Sequence, residues 1–363
     1  MTPPVLRPGI LKIAPYVGGD AEAPGAGRLI RLASNEGAFG PSPRALAAYQ
    51  AAAPEIHRYP DSGSRALIEA LARRHGLDPR QIVCGNGSDE ILHLLALAYA
   101  GPRDEVIYSA HGFLVYPIAA RSVGALPVAV PEHDLVADVD GLLDAVTAET
   151  RILYLANPNN PTGSYLSQSE LCRLHAGLPE HVLMVIDAAY AEFVSAGDYI
   201  TGQELVAQAS NVVVTRTFSK VYALGGLRLG WAVCPLAIAD ALNRIRGPFN
   251  INRAAQAAGI AALEDSEFTG AAVLHNHQAR QWFAEQLRAL GLTVYPSEAN
   301  FVLVSFAGWG DPATVRAFLK ARGILVRQMT AYGLPQCLRI TIGRSDELRE
   351  VVDALSACPR GRG

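Results

Sequence analysis

Short apolar segments alternate with amphipathic ones along most of the chain, and this alternation constrains the fold more than any other feature. The apolar segments have the length and β-branched content of buried strands, whereas the others have helical spacing. Predicted strands cover residues 81–84, 105–108, 126–130, 152–155, 182–186 and 212–214, and predicted helices cover 44–53, 64–75, 91–100, 116–123 and 139–145. The pattern is typical of an α/β fold, with helices flanking a mixed sheet whose strands are mostly parallel.

The length of the chain indicates more than one domain. Its 363 residues exceed the size at which a single hydrophobic core usually stops growing. We expect an N-terminal arm (1–33), a large domain (34–247) and a smaller α+β domain (248–363). The arm is rich in Pro and Gly and is expected to lie over its own subunit or a partner. The smaller domain has helical patterns up to 263, at 271–290 and at 312–322, and strand patterns at 293–295, 300–304, 324–327 and 337–342.

Composition and charge argue against several classes of protein. The formal net charge of -3 gives no sign of the clustered basic surface that nucleic-acid binding requires. No apolar run is long enough to span a bilayer, so we expect a soluble protein. The five cysteines are scattered without metal-ligand spacing, and no apolar signal segment follows Met1. A cytoplasmic protein without a metal site is therefore expected.

Lys220 stands where a lysine is unusual. It follows the apolar segment at 212–214 and precedes a glycine-rich turn, in which the backbone can approach a ligand closely. Hydroxyl side chains flank it, and Arg228 follows eight positions later. Partial burial beside positive charge would lower the pKa of Lys220, and the neutral amine is the form that makes an imine with an aldehyde cofactor. On these residues alone, an ordinary loop lysine with an unrelated arginine fits equally well.

Other polar groups fall at the carboxyl ends of predicted strands, where ligand sites form in parallel sheets. A glycine-bearing turn leads to Ser88 and Asp89 at the start of a helix, which suits a phosphate or a plain helix cap. Asn160 lies in an asparagine–proline loop, and Asp187 directly follows the strand at 182–186. A carboxylate there is costly to bury unless it is paired, for example with a protonated ring nitrogen. A loop turn and a helix cap are the simpler alternatives for these two residues.

The order of these features resembles aminotransferases of the aspartate aminotransferase fold type, which use pyridoxal 5'-phosphate. The most specific matches are residues 159–163 (Asn-Asn-Pro-Thr-Gly), 187–190 (Asp-Ala-Ala-Tyr) and 219–230, within a resemblance that covers nearly the whole chain. It implies fold type I and a PLP-dependent aminotransferase. Weaker matches around Tyr16, at 58–61 and at 338–343 favour the branch that transfers an amino group between glutamate/2-oxoglutarate and histidinol phosphate in histidine biosynthesis.

The resemblance implies a role for each residue around the cofactor ring. Lys220 would hold the cofactor as an imine and later carry a proton between the substrate and cofactor carbons. Asp187 would pair with the pyridine nitrogen, so that the ring accepts the electrons of the broken Cα–H bond. Asn160 and Tyr190 would bind the 3-oxygen, and Phe113 would stack on the ring.

The resemblance also implies two anion sites. The cofactor phosphate would be bound by Ser88, Asp89, Thr217, Ser219 and Arg228, and by Tyr59 of a second subunit. A homodimer with a shared active site follows from the last contact. On the substrate side, Arg339 would bind the carboxylate of glutamate in one half-reaction and the phosphate of histidinol phosphate in the other. Tyr16, Asn35 and Arg327 would complete that pocket, although Arg327 is also consistent with a solvent-facing charge on a strand.

Two departures from the family pattern leave the substrate open. They lie at residues 109–116, ahead of the stacking ring, and at 35–40, in the N-terminal loop. Relatives with this scaffold transaminate aromatic amino acids, and others decarboxylate threonine phosphate. A broader aromatic aminotransferase is therefore one alternative, and a decarboxylating lyase is another. Every alternative would bind a small amine, and the aminotransferases would also bind a 2-oxo acid.

Overall fold

The computed structural model describes residues 4–7, 9–23, 25 and 27–359, and its α/β architecture confirms the predicted class. Over these residues the strands are β1 (Ile30–Leu32), β2 (Ile82–Gly85), β3 (Glu105–Ser109), β4 (Leu126–Val130), β5 (Thr150–Ala156), β6 (Leu183–Asp187), β7 (Val212–Thr217), β8 (Gly230–Val233), β9 (Thr293–Val294), β10 (Phe301–Ser305), β11 (Ile324–Met329) and β12 (Leu334–Thr341). The helices are α1 (Pro43–Ala52), α2 (Arg65–His75), α3 (Ser88–Tyr99), α4 (Val115–Val123), α5 (Val139–Asp144), α6 (Gln168–Gly177), α7 (Gln203–Val206), α8 (Leu236–Ile245), α9 (Arg253–Glu264), α10 (Ser266–Ala289), α11 (Pro312–Lys320) and α12 (Ser345–Ser356).

The larger sheet has the strand order β2-β8-β7-β6-β5-β3-β4, and its central strands are parallel. Strand β8 runs antiparallel to both of its neighbours, β2 and β7. Strand β8 is not indicated by the sequence pattern. This strand has four residues and begins at Gly230, and glycine weakens a strand pattern.

Both faces of the larger sheet are covered, which explains why its strands are apolar at nearly every position. On β6, Met184 and Ile186 belong to one core cluster, and Leu183 and Val185 belong to another. Alternate side chains of a strand point to opposite faces, so the two clusters lie on opposite sides of the sheet. On β6 and β7 the polar residues lie at the carboxyl ends, Asp187 on β6 and residues 215–217 on β7.

The smaller sheet has the order β1-β11-β12-β10-β9. Strand β1 pairs in parallel with β11, more than 290 residues later in the chain, and the other pairs are antiparallel. This pairing holds residues 33–36, which follow β1, between the two sheets. Helix α9 contributes Ala255 and Ala258 to the core of the larger sheet. The domain boundaries at 33 and 247 stay a prediction.

The described part of the N-terminal segment contacts both halves of the molecule. Arg7 donates a hydrogen bond to the carbonyl oxygen of Ser122 in the last turn of α4, and Asp20 forms ion pairs with Arg316 and Lys320 of α11. Of the predicted arm, residues 1–3, 8, 24 and 26 lie outside the described residues. Over the part of the chain that the structure describes, no helix is both long and apolar enough to cross a membrane.

Candidate active site

A cavity of about 330 Å³ lies between the carboxyl ends of the larger sheet and the smaller sheet. The strand register places residues of the larger sheet side by side at the cavity. Ala156 pairs with Asp187, and Asp187 pairs with Thr215, across adjacent strands. The cavity brings together all but one of the predicted site residues: Tyr16, Asn35, Ser88, Asp89, Phe113, Asn160, Asp187, Tyr190, Thr217, Ser219, Lys220, Arg228, Arg327 and Arg339.

Lys220 enters the cavity from the loop that follows β7. Its Nζ donates a hydrogen bond to the carbonyl oxygen of Ser34 at 3.1 Å and lies 5.7 Å from the centre of the Tyr190 ring. Burial, and then the positive charge of Arg339, lower the pKa of Lys220 to about 8. This direction agrees with the sequence analysis, but the stronger cation is Arg339 rather than Arg228. Near neutral pH, a larger fraction of Lys220 is neutral than of an ordinary lysine.

Asp187 ends β6 as a buried carboxylate. Its Oδ2 accepts a hydrogen bond from the Tyr116 hydroxyl at 3.0 Å, and its Oδ1 accepts one from the Thr215 hydroxyl at 3.2 Å. Burial raises the pKa of Asp187 to about 6, and these two hydrogen bonds act in the opposite direction. Among the described residues it has no ion-pair partner, so a cationic N–H ligand suits it electrostatically. Tyr116 lies in the predicted helix at 116–123, and no motif in the sequence indicates its contact with Asp187.

The residues predicted to bind phosphate meet at the start of α3. Helix α3 begins at Ser88, three residues before the predicted start. Ser88 and Asp89 line the cavity, so the free N–H groups of the first turn lie beside it. The Arg228 guanidinium donates to Asp89 Oδ2 at 3.2 Å and to Ser219 Oγ at 3.4 Å. The Ser219 N–H donates to Thr217 Oγ1 at 3.1 Å.

Two glycines allow these groups to approach each other. A Cβ at Gly87, whose φ is +82°, would lie 2.4 Å from Arg228 Nη2, and a Cβ at Gly230 would lie 2.3 Å from the Ser88 nitrogen. No side chain fits in either place. The helix N-terminus and the guanidinium thus converge on one point, which suits a phosphate dianion.

Arg339 faces the cavity from β12 and is buried. Its Nη1 donates to Asn160 Oδ1, and its Nη2 donates to the Ala33 carbonyl oxygen at 2.8 Å. Its Nε has no hydrogen-bond partner among the described residues, and burial lowers its pKa. A buried guanidinium with an unused donor suits an anionic ligand. Arg339 fixes the Asn160 amide oxygen toward itself, which leaves the amide nitrogen to donate to a ligand.

Arg327 and Tyr16 lie farther out. Arg327 Nη2 donates to the Val17 carbonyl oxygen at 2.6 Å, and the guanidinium carbon lies 5.8 Å from the centre of the Tyr16 ring. Strand β11 lies between β1 and β12, and Arg327 pairs with Arg339 of β12 one residue beyond the last β1 pair, Leu32 with Val326. It is held at the mouth of the cavity by the N-terminal segment.

Phe113 and Tyr59 differ in their relation to the cavity. Phe113 lines it and packs edge-on against Tyr116, with ring centres 6.0 Å apart. Tyr59 is 78% exposed, does not line it, and stacks on Phe249 with ring centres 4.6 Å apart. The structure therefore does not bring Tyr59 to the site of its own chain, and its contact through a second subunit stays a prediction.

Comparisons with known proteins agree with this site. The model of the family described as aminotransferase class I and II matches residues 28–355. The chain is 65% identical to the histidinol-phosphate aminotransferase of Rhodospirillum centenum, over 99% of this chain and 100% of that protein. It is 57% identical to that of Paramagnetospirillum magneticum, over 98% of each chain.

A solved structure agrees as well. The crystal structure of histidinol-phosphate aminotransferase from Sinorhizobium meliloti in complex with pyridoxal-5'-phosphate has a TM-score of 0.88 and 32% identity, over 96% of each chain. The family match spans most of the sequence, and the similarity in fold extends over nearly all of it. The chain belongs to the aminotransferase class I and II family.

Proposed function

We propose that this chain uses pyridoxal 5'-phosphate to transfer an amino group between glutamate and the keto form of histidinol phosphate, a step of histidine biosynthesis in the cytoplasm. The observation that carries the proposal is the pairing of groups across one cavity, with Lys220 and Asp187 on one wall and Arg339 on the other. The names of the relatives at 65% and 57% identity support the choice of substrate.

The groups on the larger sheet fit the cofactor. When bound, pyridoxal phosphate supplies a sink for the electrons released when the substrate Cα–H bond breaks. Asp187 would hold a proton on the pyridine nitrogen, because a buried carboxylate is stabilised by a cationic partner. The start of α3 and Arg228 would bind the phosphate, and Phe113 would cover the ring.

Lys220 would carry out the proton transfer. With a pKa near 8, its amine is neutral in a usable fraction at neutral pH and so can hold the aldehyde carbon of the cofactor. Once free, Nζ would be the base within the cavity that takes the proton from the substrate Cα. The same Nζ would return that proton to the reacting carbon of the cofactor.

Arg339 would orient both substrates. Its buried guanidinium presents parallel donors, which match the paired oxygens of a carboxylate or a phosphate. One cation could thereby anchor glutamate in one half-reaction and histidinol phosphate in the other. Arg327 and Tyr16 are positioned at the outer end of the cavity, where they would contact the longer substrate.

A half-reaction with single substrates tests the proposal. The cofactor-loaded protein is mixed with histidinol phosphate, phenylalanine or threonine phosphate, with glutamate as positive control, and the visible absorbance of the cofactor is followed. We expect rapid conversion to the amino form by glutamate and histidinol phosphate, and slow conversion by phenylalanine. Equal conversion by phenylalanine would instead indicate an aromatic aminotransferase, and release of carbon dioxide from threonine phosphate would indicate a lyase.

The proposed enzyme is a homodimer in which Tyr59 reaches the phosphate of the neighbouring site. Exposed apolar side chains support a covered surface: Phe249, which stacks on Tyr59, Ile56, three residues before it, and Leu46 and Tyr49 on α1. The test mixes two impaired variants, Lys220→Ala and Tyr59→Ala, under conditions of subunit exchange. A shared site predicts more activity in the mixture than in the two variants summed, because one site then has an intact Lys220 and an intact Tyr59. No gain after verified exchange would refute the shared site.

A further inference from the structure

Three buried polar residues form a chain of hydrogen bonds at one side of the cavity. Thr341 lies on β12 two positions after Arg339, so both side chains point to the same face of the strand. The Asn35 backbone N–H donates to Thr341 Oγ1 at 3.0 Å, and Thr341 Oγ1 donates to Asn35 Oδ1 at 3.2 Å. Asn35 Nδ2 donates to the Tyr190 hydroxyl oxygen at 2.9 Å.

The bonds of this chain can be followed from the Asn35 backbone to the Tyr190 hydroxyl. Thr341 Oγ1 accepts the Asn35 backbone N–H and donates its single hydrogen to Asn35 Oδ1. The amide oxygen of Asn35 is thereby fixed toward Thr341, and the amide nitrogen is fixed toward Tyr190. The Tyr190 oxygen accepts that bond, and its own hydrogen has no acceptor among the residues that the structure describes.

The backbone of Asn35 is held as well. Its φ of +56° lies in the left-handed region, which asparagine tolerates better than most residues. Asn300 Nδ2 donates to the Asn35 carbonyl oxygen at 3.0 Å, and Asn300 and Asn35 are both almost completely buried. Turning the Asn35 amide over would set Nδ2 against Thr341 and Oδ1 against Tyr190, so that the Thr341 hydroxyl hydrogen would lose its acceptor.

We propose that Thr341 is a positioning residue of this site: acting through Asn35, it fixes the Tyr190 hydroxyl so that its hydrogen points at an anionic oxygen of the bound cofactor. The inference rests on the proposed function, since it needs a ligand with such an oxygen. Tyr190 lines the cavity, whereas Thr341 does not, so Thr341 acts without touching the ligand.

The arrangement has a spectroscopic consequence. A fixed donor stabilises the anionic oxygen of the cofactor and so lowers the pH at which the bound cofactor loses its proton. Without Thr341, the Asn35 amide is free to turn, and the Tyr190 hydrogen can be donated to Asn35 Oδ1 instead of the ligand. The pH midpoint of the cofactor's visible absorbance should then rise.

The experiment compares Thr341→Val with Thr341→Ser in the cofactor-loaded protein. The matched control is Thr150→Val, because Thr150 is equally buried, accepts the Thr147 N–H at 2.9 Å and donates to a Glu105 carboxylate oxygen, but lies at the amino end of β5, away from the cavity. Visible absorbance is titrated against pH, and the melting temperature is recorded for each variant. Asn35→Asp is a second test of the same link, since a carboxylate at this position accepts the Tyr190 hydrogen.

We expect Thr341→Val to raise the midpoint by roughly half to one pH unit. This is the effect expected when the anionic oxygen of the cofactor loses one hydrogen bond, from the Tyr190 hydroxyl. Thr341→Ser and Thr150→Val should keep the wild-type midpoint, even where the melting temperature falls, and Asn35→Asp should raise it. An unchanged midpoint in Thr341→Val, or in Asn35→Asp if the valine variant does not fold, would overturn the inference. A wild-type protein that shows no cofactor absorbance would instead overturn the proposed function.

Discussion

The two walls of the cavity are built in different ways. On the larger sheet, Asp187 ends a strand and Lys220 lies three residues after one, so the chain immediately before each residue sets its position. On the smaller sheet, Arg339 lies within β12 and is held by Ala33 and Asn160, which are 306 and 179 residues away in sequence. The first wall depends on local order, whereas the second exists only when distant segments are assembled.

The charges of the two walls are nevertheless coupled across the cavity. Arg339 is the strongest charged influence on the pKa of Lys220, and burial of Asp187 and Lys220 shifts their pKa values in opposite directions. Both shifts favour the neutral forms. A ligand that brings a cationic nitrogen to Asp187 and an anion to Arg339 would therefore relieve the buried charge on each wall.

The largest effect is expected on the first wall, from Lys220→Ala. Turnover should fall by more than about 10³-fold, because both the attachment of the cofactor and the proton transfer use this amine. Lys320→Ala, on the surface, is the matched control and should leave activity unchanged. Borohydride reduction followed by peptide mapping should find the cofactor on Lys220 and not on Lys12 or Lys320. A label elsewhere would contradict the assignment.

The second wall should respond next most strongly, through Arg339→Ala. Loss of a buried cation that binds both substrates should weaken each by about 2–5 kcal/mol, measured as KM and kcat/KM for glutamate and for histidinol phosphate. The partly exposed Arg327 provides the contrast, and Arg327→Ala should cost at most about 1 kcal/mol. If Arg339→Ala impaired histidinol phosphate alone, one arginine would not serve both substrates.

How far the sequence could predict these walls follows from their construction. Strand patterns and short motifs marked Asp187, Lys220 and the start of α3, because their geometry is set within a few residues. The pairing of β1 with β11 and the link from Asn35 to Thr341 carry no local signal, since each joins segments about 300 residues apart. Strand β8 was missed because Gly230 suits close packing against Ser88 rather than strand propensity. Arg339 was found through a family resemblance, not through its strand pattern.

Asp187 allows a test of the first wall without substrate. Its pKa of about 6 in the folded chain lies above the ordinary value of about 3.9. Between these values the folded state binds more protons than the unfolded state, so the free energy of unfolding falls as the pH rises from about 4 to about 6 and stays lower above it. The loss amounts to about 3 kcal/mol at most. Urea unfolding of the cofactor-free protein at several pH values should show this fall in the wild type and not in Asp187→Asn. If the free energies of unfolding of the two proteins changed with pH in parallel, the prediction would be contradicted.

The smallest expected effect is a shift in the pH midpoint of Lys220 on one wall when Arg339 on the other wall is replaced. Attachment of pyridoxal phosphate to the cofactor-free protein requires neutral Lys220, so its rate should rise with pH and level off above a midpoint of about 8. Arg339 is a cation that disfavours protonation of Lys220, so Arg339→Gln should move that midpoint upward. Arg327→Gln is the control for loss of a nearby charge. An equal shift in both variants would mean that the field at Lys220 comes from the net charge of the cavity and not from the buried position of Arg339.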